Sequence, residues 1–186
     1  MAPHGAEPEI DAAPRIDPER EPRFWFAVQF NRAANLNKLG QHAEAQGFLS
    51  TLWELVDSVN GDFQLLRLQW LAAEITAGLG DEESALGSLA VIQKEFADLE
   101  IPFDAALVSL DIAEIHMKHG HWREVRRLAQ AMVQLFRDLG VHREAVAALL
   151  LFCEAVEREE ATVELIQRLA RYLREAERDP SHRFDG

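Results

Sequence analysis

The chain has 186 residues, 48% hydrophobic and 27% charged, with a formal net charge of −13, which suits one sizeable globular domain. That acidity argues against a duplex nucleic-acid surface, which draws on clustered Lys and Arg. No apolar run nears the roughly 20 residues that span a bilayer, the first twenty residues lack a secretory core, and the lone Cys153 leaves no internal disulfide. A cytoplasmic protein with no membrane partner is therefore expected.

Residues 1–21 hold Pro3, Pro8, Pro14 and Pro18 among acids and alanines, and read as a flexible leader. An ordered domain is expected over 22–178, followed by a tail at 179–186. Pro22 suits the first turn of a helix. Phe26, Phe30, Ala33, Ala34 and Leu36 then form a stripe at helical spacing. Leu39-Gly40-Gln41 ends it, and a partner helix runs through Ala45, Leu49, Leu52 and Val56 to Asn60-Gly61. A second pair covers 63–78 and 84–97, with Gly80 at the turn and Asp81 as N-cap. A third opens at Pro102, runs to about Lys118, turns at Gly120 and continues over 122–138.

These units recur in register every 40 residues. Gly40, Gly80 and Gly120 mark the turns, preceded by Ala33, Ala73 and Ala113. Ala45, Ala85 and Val125 follow, then Leu49, Leu89 and Ala129, then Leu52, Ile92 and Met132. A worn fourth copy sets Cys153, Leu165, Leu169 and Tyr172 in the same register, with Glu160 in the glycine's place. Its last helix, about 161–178, carries Arg168, Arg171, Arg174 and Arg178 as a polar outer face suited to a terminal cap. No segment alternates with period two. The pattern predicts eight helices in four antiparallel pairs.

A small residue in the first helix, glycine at the turn, and a small then a large apolar residue in the second helix resemble tetratricopeptide repeats over about 23–178. The period of 40 exceeds the family's usual 34, and the large residue expected before the small one is missing at Arg32 and Ala72. Stretches such as Ala105-Ala106-Leu107-Val108-Ser109-Leu110 and His142-Arg143-Glu144-Ala145 resemble helical repeat regions of bacterial regulatory proteins. The resemblance implies an all-α right-handed solenoid of about four helix pairs. It also implies a non-enzymatic protein-interaction module, a scaffold that binds a partner on its concave face within a bacterial regulatory or signalling system.

Carried over by counting from the turn glycines, the concave positions form three rows. They are Phe30, Trp70, Leu110 and Leu150; Ala34, Glu74, Glu114 and Glu154; and Asn37, Ala77, Met117 and Glu157. The expected partner is a protein or peptide segment with Lys or Arg beside apolar anchors. Against this, Glu114 has Lys118 and Glu154 has Arg158 at i+4, the spacing of self-paired charges on a solvated face. Glu74, followed by Gly78, has none. Phe30 and Trp70 also fit burial between repeats.

His116, His119 and His121 lie about a turn apart, as zinc ligands can. His119 sits where Leu39 and Leu79 sit, however, and only Glu114 and Glu124 stand near, so turn packing is the expected role. Cys153 reads as an inert core thiol. The acid pairs Glu82-Glu83 and Glu159-Glu160 read as helix starts. There is no phosphate loop and no HExxH motif, so neither catalysis nor a cofactor is expected. Two other functions stay open: end-to-end self-assembly through apolar terminal repeats, and a small-ligand pocket closed by Trp25, Trp53 or Trp70.

Overall fold

The computed structural model describes residues 20–59 and 61–184, so the leader through residue 19 lies outside the described residues. These residues form helices with no strand. In chain order they are α1 (Pro22–Lys38), α2 (His42–Gln46), α3 (Leu49–Val56), a short 3-10 turn (Asp57–Val59), α4 (Asp62–Gly78), α5 (Glu82–Asp98), α6 (Pro102–Lys118), α7 (Trp122–Asp138), α8 (Arg143–Glu157) and α9 (Val163–Ala176). Pro22 and Pro102 open α1 and α6, where a missing N–H is harmless. Asp81 caps α5 by accepting from Ser84 N–H at 3.2 Å, and Thr162 caps α9 likewise at Leu165.

The second helix of the first pair is broken at Gly47-Phe48, where the continuous pattern had predicted one helix. Glycine alone does not explain the break, because Gly87 occupies the same place in an unbroken α5. Phe48 differs in lying under the Arg32 guanidinium, 5.0 Å from its ring centre.

Short turns make neighbouring helices antiparallel. α1 packs on α2, α3 and α4, and from α4 each helix packs on the next. α9 then returns to pack against α6, so α6 to α9 close into a four-helix ring. The apolar interior is correspondingly double. One cluster joins α1 to α4 through Phe26, Leu52, Val56, Leu68 and Ile75. The larger runs from α4 to α9 around Phe96, Leu110, Phe136, Phe152 and Leu173.

The fourth pair is out of register. The left-handed residue that ends α8 is Glu159 (φ 56°), one position earlier than the 40-residue period requires. Glu160 therefore follows the helix end, and Glu159-Glu160 is no helix start. A one-residue slip turns a helical side chain by about 100°. Phe152 consequently takes the buried position expected of Cys153, which is only half-buried. Leu149 takes the buried place that Leu110 holds in the third pair, and Leu150, read as a concave position, is exposed on α8.

A candidate groove between α1, α4, α6 and α9

Residues 63, 67, 70, 71 and 74 share one face of α4 by their spacing, and that face forms the floor of a groove of about 350 Å³. α1 supplies Phe30, Ala34 and Lys38. α6 supplies Asp104 and Leu107, and the end of α9 supplies Arg174 and Glu177, with Arg178 just beyond. A neighbouring cavity of about 270 Å³, lined by His42, Ala77, Asp111, Glu114 and Lys118, opens on the same Glu74. Glu74 thus sits where the two cavities meet.

The carboxylates here are partly buried. Asp111 Oδ2 accepts the indole N–H of Trp70 at 2.7 Å. Burial pushes the Asp111 carboxyl well above the ordinary range. The Glu74 charge adds to the shift, while the Trp70 bond and the Arg174 charge oppose it. Burial likewise raises Glu74 from 4.5 to about 7, against the pull of Arg174 and Lys38 and with a push from Glu114. Asp104 is raised by burial and by Glu177, with Arg67 and Arg174 opposing. Arg174 therefore acts on all three acids from across the groove. Glu74 accepts no hydrogen bond from a described residue, so its carboxyl is free to meet an incoming donor.

The sequence-based rows separate here. Phe30 and Glu74 line the groove. Trp70 lines it too, although it is buried and its polar edge is committed to Asp111. Glu114 opens into the neighbouring cavity and pairs with Lys118 at 3.1 Å. Leu110 is fully buried and Met117 packs against the same core, so neither forms an apolar strip in the groove. Glu154 is exposed on the slipped α8, and the three-glutamate ladder does not form. Of the tryptophans, Trp53 is exposed on α3 and does not close a pocket with Trp70.

Asp111 and Lys38 escaped the sequence reading, and Arg174, read as part of a solvent-facing cap, stands in the groove instead. Asp111 could have been found as the polar residue ending the apolar run 105–110. Arg174 could not, because the arginine face of α9 reads as solvent-facing unless its return onto α6 is known.

A second cluster sits at the α6–α7 turn. His119 does not pack as Leu39 and Leu79 were expected to do. It is exposed, and its Nε2 meets Glu82 Oε2 at 2.6 Å. His116 and His121 face each other, Nδ1 to Nδ1, at 3.3 Å. Burial and the neighbouring His121 lower the pKa of His116, which keeps that ring neutral near pH 7. No three His, Cys, Asp or Glu side chains gather into a metal-binding group among the described residues. Among those residues no helix is long and apolar enough to cross a membrane.

No protein-family model, curated protein or solved structure matches the chain.

Proposed function

We propose that the chain is a non-enzymatic interaction module of tetratricopeptide-like helix pairs, which receives a partner protein segment in the groove between α1, α4, α6 and α9. The observation that carries this reading is the junction at Glu74, a partly buried acid that accepts no hydrogen bond from a described residue and lines two neighbouring cavities. Beside it, Phe30 and Phe63 offer apolar surface. Lys38, Arg67 and Arg174 share the groove with the acids, so the fitting segment carries one basic residue between apolar anchors rather than a basic run. Placement in a bacterial regulatory complex belongs to the same proposal and rests on the sequence resemblance.

Peptide display against the full chain, followed by titration of the enriched peptides, tests it. Hits should share a single Lys or Arg flanked by apolar residues, quench Trp70 fluorescence, and lose about 1–3 kcal/mol of affinity with Glu74→Gln. Hits indifferent to Glu74 and to Phe63→Ala would move the binding surface elsewhere.

Self-assembly keeps a specific observation in its favour. Phe24 is 67% exposed on the first helix, and Leu151 is 48% exposed on α8. Light scattering across a concentration series separates the readings, since a stable oligomer abolished by Phe24→Ser would favour assembly.

A further inference from the structure

Six turns in this chain close with the same backbone bond, in which the residue two beyond the helix cap donates to the carbonyl five residues earlier. The donors and acceptors are Gln41 to Leu36, Asp81 to Thr76, Ile101 to Phe96, His121 to His116, Val141 to Phe136 and Glu160 to Ala155, at 2.8–3.2 Å. This closure brings the two side chains together, and an apolar contact between them usually accompanies it. Phe96 with Ile101 and Phe136 with Val141 follow that rule. At Gly120 (φ 69°) both positions are imidazoles.

The turn therefore fixes where the rings stand. The His121 N–H reaches the His116 carbonyl at 2.9 Å, and the two Nδ1 atoms end 3.3 Å apart. Two imidazole lone pairs at that distance repel unless a proton or a cation lies between them. Two nitrogens bound at about 2.0–2.1 Å to a tetrahedral ion are separated by roughly 3.3 Å. The spacing imposed by the backbone thus matches the bite of such an ion.

We propose that His116 and His121 form a two-imidazole site for a divalent transition-metal ion of the Zn²⁺ class, bound through both Nδ1 atoms, with water completing the coordination. Imidazole nitrogen is a preferred donor for these ions. The open side is a cavity of about 540 Å³ lined by the acids Asp81, Glu82 and Glu83 beside Leu86 and Ile115. His119 is a supporting residue rather than a ligand. Its ring stacks on His121 at 5.7 Å, and its Nε2 is taken by Glu82.

Calorimetric titration of the full chain with Zn²⁺ at pH 7.5, together with ¹⁵N imidazole resonances, tests the site. The site should take up one equivalent, shift the Nδ1 resonances of His116 and His121, and release the ion on acidification, because imidazole ligands bind only when deprotonated. His116→Leu with His121→Gln installs the Leu36 and Gln41 pair that already closes the first turn, and should weaken binding at least about tenfold. His119→Ala should stay within about twofold of the parent. Should the double variant lose helicity, His121→Gln alone gives the same reading with α6 untouched. Retained affinity in these variants, an equal loss in His119→Ala, shifts on other histidines, or no uptake would each overturn the proposal.

Discussion

α1 to α5 and α6 to α9 are built from the same repeating pattern, yet one run stays open and the other closes. In the first run each pair simply leans on the next. In the second, α9 folds back on α6, and α6 becomes buried almost all round, from Ala105 to Leu110 without a break. The difference lies in a connection. One residue separates Gly120 from the start of α7, whereas three separate Glu159 from the start of α9. The longer link frees α9 from the position of α7 in the pair before. Closure also brings Arg174 to the groove, so the irregular pair makes the candidate site what it is.

If the two runs differ as their cores do, truncations within them should be felt differently. Phe136 is fully buried in the ring and packs edge-on against Phe103 at 5.1 Å. Phe136→Ala should cost about 3–5 kcal/mol by chemical denaturation. Leu52→Ala removes a fully buried side chain from the smaller cluster around α1 to α4. Its cost, about 2–5 kcal/mol, should appear as lost hydrogen-exchange protection in α1 to α3 while α6 and α7 keep theirs. Equal loss across all helices would mean that the chain opens as one unit.

The open run was the legible one. Its turn glycines, its small residues and the Asp81 cap follow from spacing alone, because each involves residues of one helix pair. The ring was legible only in its first pair, where α6, Gly120 and α7 stand as the spacing predicts, and its closure was not. Helical periodicity says which face of α9 is apolar but not which earlier helix it meets, and a one-residue slip at Glu159 leaves the composition of α8 unchanged while moving Leu150 and Glu154 into solvent. The groove divides the same way. Phe30 and Glu74 were visible as periodic positions, whereas the Trp70–Asp111 bond joins residues 41 apart, off the period.

Glu74 sharpens the contrast through its titration. Its pKa is raised on folding, so the folded chain holds the proton more tightly than the unfolded chain between about 4.5 and 7. Stability from this group is therefore greatest at low pH and falls as pH rises through that window. Glu74→Gln should raise stability by under about 1 kcal/mol near pH 5 and by about 3 kcal/mol at most at pH 8. Asp111 shifts in the same direction, and removing the Glu74 charge lowers its pKa, which adds to the gain. Thermal melts of both proteins at pH 5 and pH 8 check this. A constant difference across pH would show that Glu74 is well solvated, and the groove would lose its distinguishing group.

Trp70 ties the open run to the ring, since it stands on α4 and its donor satisfies an acid on α6. Trp70→Phe keeps most of the ring volume and the edge contact with Phe96, now at 5.8 Å, but strands the Asp111 carboxylate. The expected loss is about 1–3 kcal/mol at pH 8. It should shrink toward acid pH as Asp111 protonates, and Trp70→Phe combined with Asp111→Asn should recover part of it. A loss independent of pH would assign the effect to packing alone.

The smallest effect concerns the turn where the register slips. Gly40, Gly80, Gly120 and Gly140 take positive φ at no steric cost, but Glu159 takes φ 56° with a side chain, as Glu100 does at 58°. A non-glycine residue in this region carries a penalty on the order of 1–2 kcal/mol. Glycine offsets part of that gain by loosening the unfolded chain. Glu159→Gly should therefore stabilise by up to about 1 kcal/mol, provided the Arg126–Glu159 pair at 3.5 Å is worth little, as exposed pairs are. Glu159→Ala removes the same ion pair without relieving the backbone and serves as the comparison. If glycine stabilises and alanine does not, the strained turn lies at 159 and the ring is closed by the shifted register. If glycine at 160 stabilises instead, the turn sits where the 40-residue period would put it, and the account of the ring fails at its origin.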